Sequence, residues 1–319
     1  PTPFYVGPIN AYLIEDEPLT LVDSGVKTDE AEEALRTGLA ELGLAFGDIE
    51  QLVITHSHLE HYGLMASVAS EGRPRVFAHP LEIYDLQSER GYASPDDKRN
   101  ERVEKFLLES GMPEEKLGLI LTRHPIFERL RDHVRVTHPV EDGDKLKFRH
   151  MELTVIHCPG HSPGMINLYD PEAKVLLSGD NILKHISPVP LLSFPQDPKE
   201  PREHSLAAYL ATLRRLKKYD IDLTLTGHGE IIYDLKEIID SITLHHEARK
   251  RKALKFLADG PKTAYDVCGH LFPKLEPLHL FLAMSEAVGH LDILEMEGAV
   301  EIEKKEGITY HVSKADSKR

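Results

Sequence analysis

Apolar residues along this 319-residue chain fall into short clusters separated by polar turns, and their spacing alternates between strand and helix periods. Residues 10–23 (NAYLIEDEPLTLVD) place apolar groups on either side of Glu15, Asp16, Glu17 and Pro18, which predicts a hairpin around an acidic turn. Helical spacing follows over residues 27–44 (Ala31, Ala34, Leu35, Leu39, Leu42), with Thr28 as the N-cap and acidic residues in the first turn. The runs QLVIT at 51–55, RVFA at 75–78, ELTVIH at 152–157, KVLLS at 174–178 and LTLT at 223–226 read as short buried strands. Strands alternating with helices predict an α/β fold, whose ligand sites lie in loops at strand ends.

Longer interruptions divide the chain. Residues 81–132 form an insertion with two predicted helices, around 102–110 and 126–132, broken by Gly111 and Pro113; it reads either as a cover over the site or as a spacer. Pro188, Pro190, Pro195, Pro198 and Pro201 predict a stiff extended wall, or an ordinary surface crossing, over 186–204. The texture then changes to three helices and a strand pair. This suggests a catalytic domain over 1–243 and a winged-helix-like module over 244–319. The third of these helices carries Glu286, Asp292, Glu295 and Glu297 without Lys or Arg, so a packing, dimerisation or pocket role is expected of the module rather than DNA binding.

Charge points the same way. Lys and Arg number 38 against 53 Asp and Glu, a net charge of −15 that disfavours nucleic acid as a partner. The basic run Arg249, Lys250, Arg251, Lys252 reads as a solvated helix face. With only Cys158 and Cys268, no disulfide framework is expected; no apolar leader and no membrane-length apolar run are visible, so a cytoplasmic setting is anticipated. The 19 His residues change the picture most, because several stand at strand ends.

Thr55-His56-Ser57-His58-Leu59-Glu60-His61 packs three imidazoles and a carboxylate into one turn, a donor set suited to zinc or non-haem iron. His161 follows a strand in HCPGHSPG, Asp180 ends the next in SGD, and His228 lies in TGHGE, where two glycines let the backbone pass close to another group. Separate strand-end loops each offering one ligand describe a metal site along one sheet edge.

At these positions the sequence closely resembles the metallo-β-lactamase superfamily, with its H-x-H-x-D-H pattern, later His, Asp and final His. The resemblance runs through the whole chain. Residues 10–14 and LVDSG at 21–25 look like the opening hairpin of its αββα sandwich. Residues 179–188, HHEAR at 245–249 and the C-terminal module are similar to the bacterial subgroup related to glyoxalase II and to the animal β-lactamase-like protein 2.

The resemblance implies two divalent metal ions, zinc first with iron or manganese as alternatives. His56, His58 and His161 would hold one and Glu60, His61 and His228 the other, with Asp180 bridging and Glu60 and Asp180 as the catalytic carboxylates. Glu60 departs from the family, which normally has Asp there. Its extra methylene is expected to be absorbed with both metals kept; the alternatives are a weaker or altered second site, or Glu60 as a general base. Asp23 and Thr55 are expected to receive the outer N–H groups of ligand imidazoles. Tyr84 and His185 are candidate substrate contacts, and His79 is either a pocket residue or an ordinary loop residue. Cys158 is expected to pack rather than attack, and His124, His133, His138 and His150 are expected at the surface.

The activity implied is acyl hydrolysis of a small molecule, a thioester or other ester in the manner of glyoxalase II. Lactone or β-lactam cleavage, phosphodiester cleavage of the kind animal relatives perform on RNA, and mononuclear-iron sulfur dioxygenase chemistry are the alternatives. Flavodiiron chemistry is disfavoured, since those proteins have Glu where this chain has His58. Homo-oligomerisation is left open, and no membrane partner is expected.

Overall fold

A computed structural model describes residues 1–88, 98–119 and 129–314. Among these residues, two five-stranded sheets face each other. The first runs β1 (Tyr12–Ile14), β2 (Thr20–Val22), β3 (Gln51–Val53), β4 (Arg75–Ala78), β5 (His138–Pro139), antiparallel only at the β1–β2 hairpin. The second contains β6 (Lys145–Lys147), β7 (Glu152–His157), β8 (Ile166–Asp170), β9 (Val175–Gly179) and β10 (Leu223–Thr226) in the order β10-β9-β8-β7-β6, parallel only at β10–β9.

Successive strand residues point to opposite sheet faces, and here both faces are buried. Val22, Val53 and Phe77 meet Val155, Ile166, Leu168 and Leu177 between the sheets. Their neighbours Leu21, Leu52 and Val76 face outward, onto Leu39 of helix α1 (Asp29–Glu41) and Met65 and Val68 of α3 (Met65–Gly72), with the short α2 (Leu59–Tyr62) between. On the far side Ile156, Tyr169 and Leu176 lie under α6 (Ser205–Leu216) and α7 (Leu235–Leu257). The predicted αββα sandwich is therefore present. Thr28 caps α1, accepting from Ala31 N at 3.2 Å. β8 was not anticipated, because Asn167 and Asp170 interrupt its apolar run, yet both are buried.

Three helical pieces and a hairpin complete the chain: the second half of α7, α8 (Ala264–Leu271), α9 (Leu280–Met296), and β11 (Val300–Lys305) paired with β12 (Ile308–Ser313). The boundary expected at 243 falls inside α7. One stripe of that helix serves two cores, Ile239 and Ile242 under the second sheet and Ala253 and Leu257 in the module. Helix α9 is buried nearly all round, as a central helix must be.

Two of its carboxylates are paired within the fold. Asp292 makes a two-point ion pair with Arg202 at 2.6 and 2.8 Å, and Glu286 is bound by Arg249. The basic run is correspondingly less solvated than expected: Lys250 pairs with Glu297 at 2.6 Å, while Arg251 and Lys252 are exposed.

The insertion contributes α4 (Ile83–Gln87) and α5 (Lys98–Glu109); of the second helix expected over 126–132, residues 126–128 lie outside the described residues and among 129–132 only Arg129 is helical. Leu107 of α5 is buried in the module core, with Val103 and Phe106 packed against it. Arg102 donates to the carbonyls of Pro195, Asp197 and Glu200 at 2.9, 3.3 and 2.8 Å, and Leu192 N donates to Ser285 Oγ at 3.0 Å. The proline segment is thus a wall clamped between α5 and α9. No helix of the described residues is long and apolar enough to cross a membrane.

Burial opposes charge on Glu286, but His290 and Arg249 outweigh it and hold the carboxyl down at about 2 from an ordinary 4.5. A depressed carboxylate stabilises the fold above its unfolded value, and that contribution is lost as pH falls toward the folded one. Glu286→Gln is expected to lower stability at pH 7 and to flatten the acid-side loss, by about 3 kcal/mol at most. Urea unfolding at pH 7 and pH 3 of both proteins checks this; equal acid sensitivity would contradict it.

Candidate metal centre

The imidazole-rich loop begins where β3 ends. Thr55 and His56 are buried, Ser57 and His58 are extended, and Glu60 and His61 sit in the single turn of α2. His161 follows β7, Asp180 follows β9 and His228 follows β10, so ligands from both sheets meet at one edge of the sandwich. His56 Nε2 and His161 Nε2 lie 2.9 and 3.0 Å from His58 Nδ1. Asp180 Oδ2 lies 3.3 Å from His61 Nε2, 3.4 Å from His228 Nε2 and 3.8 Å from His161 Nε2. The donors form two groups, His56 with His58 and His161, and Glu60 with His61, Asp180 and His228; within each group the atoms lie within 4.8 Å of one another.

The opposite ring nitrogens are held from outside. His61 Nδ1–H donates to Asp23 Oδ2 at 2.8 Å, and His56 Nδ1–H donates to Thr55 Oγ1 at 3.0 Å. Thr55 in turn gives its hydroxyl to Asp23 Oδ2 at 2.8 Å and its N–H to Asp23 Oδ1 at 2.9 Å. His161 Nδ1–H donates to Val189 O at 3.0 Å and His228 Nδ1–H to Pro8 O at 2.9 Å. These acceptors fix the tautomers, leaving four Nε2 lone pairs aimed inward. Asp23 and Thr55 are thus the acceptors for His61 and His56.

Burial and the surrounding imidazoles hold His56 and His58 well below the ordinary imidazole range, in the neutral form that ligates metal. Burial works against charge on His61 as well, but the Asp180 and Asp23 carboxylates outweigh it and raise its pKa. Despite burial, Asp180 is held well below the carboxylate range, above all by His61. Among the described residues, His61 Nε2, His228 Nε2 and Asp180 Oδ1 are buried without a hydrogen-bond partner, a cost of about 1–3 kcal/mol each. Inward lone pairs with no donor between them fit a cation. The residues present therefore fit divalent metal ions.

Gly227 and Glu82 shape the ligand loops. A Cβ on Gly227 would overlap Asp180 Oδ1 and stand 3.0 Å from His61 Cε1, so the loop before His228 passes close only because it has none. Glu82, on the turn after β4, is buried at 1% exposure and was not singled out by the sequence. Its carboxylate accepts from Ser57 N at 2.9 Å and from the Ser57 hydroxyl, and from Ser162 Oγ at 2.8 Å and Gly164 N at 2.6 Å. One side chain thus ties the loop of His56 and His58 to the loop of His161. The only sequence signal for it was a glutamate shortly after a strand.

Other candidates fall elsewhere. His185 is exposed, 3.4 Å from Glu230 Oε1, and lines a separate cleft between the sandwich and the module. Tyr84 lies beneath the Arg99 guanidinium at 4.6 Å, and neither Tyr84 nor His185 is among the residues lining the cavity beside His58. His79 stacks on His157 at 4.0 Å and accepts from Leu81 N as a cap. Burial pushes the Cys158 thiol up, which makes it a packing residue rather than a nucleophile. His138 and His150 are exposed and His133 is half-buried, while His124 lies outside the described residues.

Glu82→Ala removes the acceptor of four donors, those of Ser162 and Gly164 buried and those of Ser57 half-buried, and frees the two ligand loops from each other. Metal affinity is expected to fall about 10- to 100-fold, measured by competition with a chromophoric chelator. Unchanged affinity would show that the loops hold themselves.

Residues 4–228 match the metallo-beta-lactamase superfamily and residues 251–313 the metallo-beta-lactamase-like C-terminal domain. The chain is 33% identical over 309 residues to the probable metallo-hydrolase YqjP of Bacillus subtilis (strain 168), covering 94% of this chain and 92% of that one. A beta-lactamase-like protein 2 homolog of Caenorhabditis elegans is 26% identical over 85% of this chain and 73% of its own. An atrochrysone carboxyl ACP thioesterase of Cryptosporiopsis sp. (strain 8999) is 27% identical over a shorter stretch, 39% of this chain and 34% of its own. Among solved structures, a metallo-beta-lactamase family protein from Thermus thermophilus superposes with a TM-score of 0.81 at 31% identity, covering 98% of this chain and 96% of that one. Sandwich, ligand loops and C-terminal module all fall within these matches, and the chain belongs to the metallo-beta-lactamase superfamily.

Proposed function

We propose that this metallo-hydrolase cleaves an acyl carbonyl, a thioester before other esters. The observation that carries the reading is the convergence of unpaired imidazole and carboxylate atoms beside a largely apolar cavity that His58, Glu60 and His161 help to line. Similarity to an acyl-carrier-protein thioesterase supports it.

His56, His58 and His161 would hold one divalent ion, and Glu60, His61 and His228 a second, with Asp180 between them. Such ions, when bound, acidify a water and polarise a carbonyl oxygen. The chain's own contribution is orientation. Asp23 fixes His61 directly and His56 through Thr55, while Val189 O and Pro8 O fix His161 and His228. Burial raises the Glu60 carboxyl, which suits it to serve as a general base when it is not a ligand.

Elemental analysis of the purified protein and of His58→Ala is the first test. About two metals per chain are expected in the wild type, one fewer in the variant, with zinc as the ion; the count follows from the two donor groups. One iron per chain would instead favour the dioxygenase alternative, and no metal after reconstitution with zinc, iron or manganese would sink the mechanism.

Glu60→Asp is expected to keep both metals and Glu60→Gln to weaken the second. Two tightly held metals in Glu60→Gln would make Glu60 a base rather than a ligand. A panel of a thioester, a lactone and a small phosphodiester at equal metal loading is expected to favour the thioester.

A further inference from the structure

The cavity next to His58 and His161 measures about 300 Å³, at the small end of the range for ligand pockets. Its apolar lining comes from widely separated parts of the chain: Phe4 near the N-terminus, Leu59 of α2, Val103 of α5, Leu192 and Phe194 of the proline segment, and Phe281 in the first turn of α9. The wall is preformed. Phe194 meets Phe106 edge to face at 5.8 Å and lies beneath the Arg102 guanidinium at 5.0 Å, while Leu192 N is tied to Ser285 Oγ of α9. Asp85 and Arg99, which also line the cavity, spend their charges on each other through contacts of 2.6 and 3.1 Å.

We infer that this cavity is an acyl pocket for a hydrocarbon chain of medium length, and that the C-terminal module sets chain-length selectivity through Phe281. The inference rests on the acyl-hydrolase reading above. Leaving groups of biological thioesters are polar and suited to solvent, whereas the wall described here rewards burial of methylenes. The clamping of the proline segment by α5 and α9 fixes the depth of the pocket, so selectivity resides in rigid side chains rather than in a loop that reshapes on binding.

The test uses the full metal-loaded chain and N-acetylcysteamine thioesters from acetyl to dodecanoyl. kcat/KM is expected to rise about fourfold per methylene until the pocket is filled, then to level or fall. Phe281→Ala should flatten that rise, and Phe281→Leu, a gentler change, should flatten it partly. Val103→Phe fills the cavity instead of hollowing the module, and should move the optimum to shorter chains at unchanged metal content.

Calorimetry on metal-free protein supplies a readout independent of turnover: octanoate should bind more tightly than acetate with a negative heat-capacity change, and Val103→Phe should abolish the difference. A flat chain-length profile with measurable turnover would overturn the pocket and leave acyl hydrolysis standing. Preferential octanoate binding by a protein that hydrolyses none of the thioesters would support the pocket and sink the hydrolytic reading. Octanoate bound no more tightly than acetate would overturn the pocket whatever the turnover.

Discussion

The buried carboxylate of Asp23 is the contact through which the first sheet organises the metal centre. Its Oδ2 receives both the Thr55 hydroxyl and His61 Nδ1–H, and its Oδ1 receives Thr55 N–H. Asp23 follows β2, in left-handed backbone at a φ of 58°, and Thr55 lies just beyond its parallel neighbour β3. The register of two strands is thereby converted into the orientation of two imidazoles, His61 directly and His56 through Thr55. The second sheet supplies His161, Asp180 and His228, so the distance between donor groups is set by the packing of one sheet on the other. Interiors this closely packed transmit small volume changes. The apolar layer of Val22, Val53 and Phe77 against Val155, Leu168 and Leu177 is therefore also a spacer for the site.

Much of this was legible in the sequence because it follows from local rules. Short apolar runs ending in His, Asp or Gly announce strands that deliver ligands, and the loop from His56 to His61 announces itself by composition alone. Asp23 could be singled out because LVDSG ends a predicted strand. Glu82 could not, since nothing local distinguishes it among 53 acidic residues; its role exists only when the loops of Ser57 and Ser162 are adjacent. The strand Ile166–Asp170 escaped because Asn167 and Asp170 break its apolar pattern. Phe281 was invisible as a pocket residue because its neighbours there come from widely separated parts of the chain.

The acidic residues of α9 are placed differently from what their composition suggested. Their charge argued against DNA binding, but two of them are buried and neutralised by Arg202 and Arg249. The helix is the core of the module. Close approach to α6 is part of that burial: a Cβ on Gly289 would meet Leu206 Cβ at 2.7 Å.

Helix α7 couples the two halves of the molecule. Its stripe begins under the second sheet and ends in the module, so the two hydrophobic cores are joined by continuous hydrogen-bonded backbone rather than by a linker. Moving one core against the other would mean bending or breaking that helix. The module is then a poor candidate for a swinging lid, since a hinge between the two cores would have to fall inside this helix.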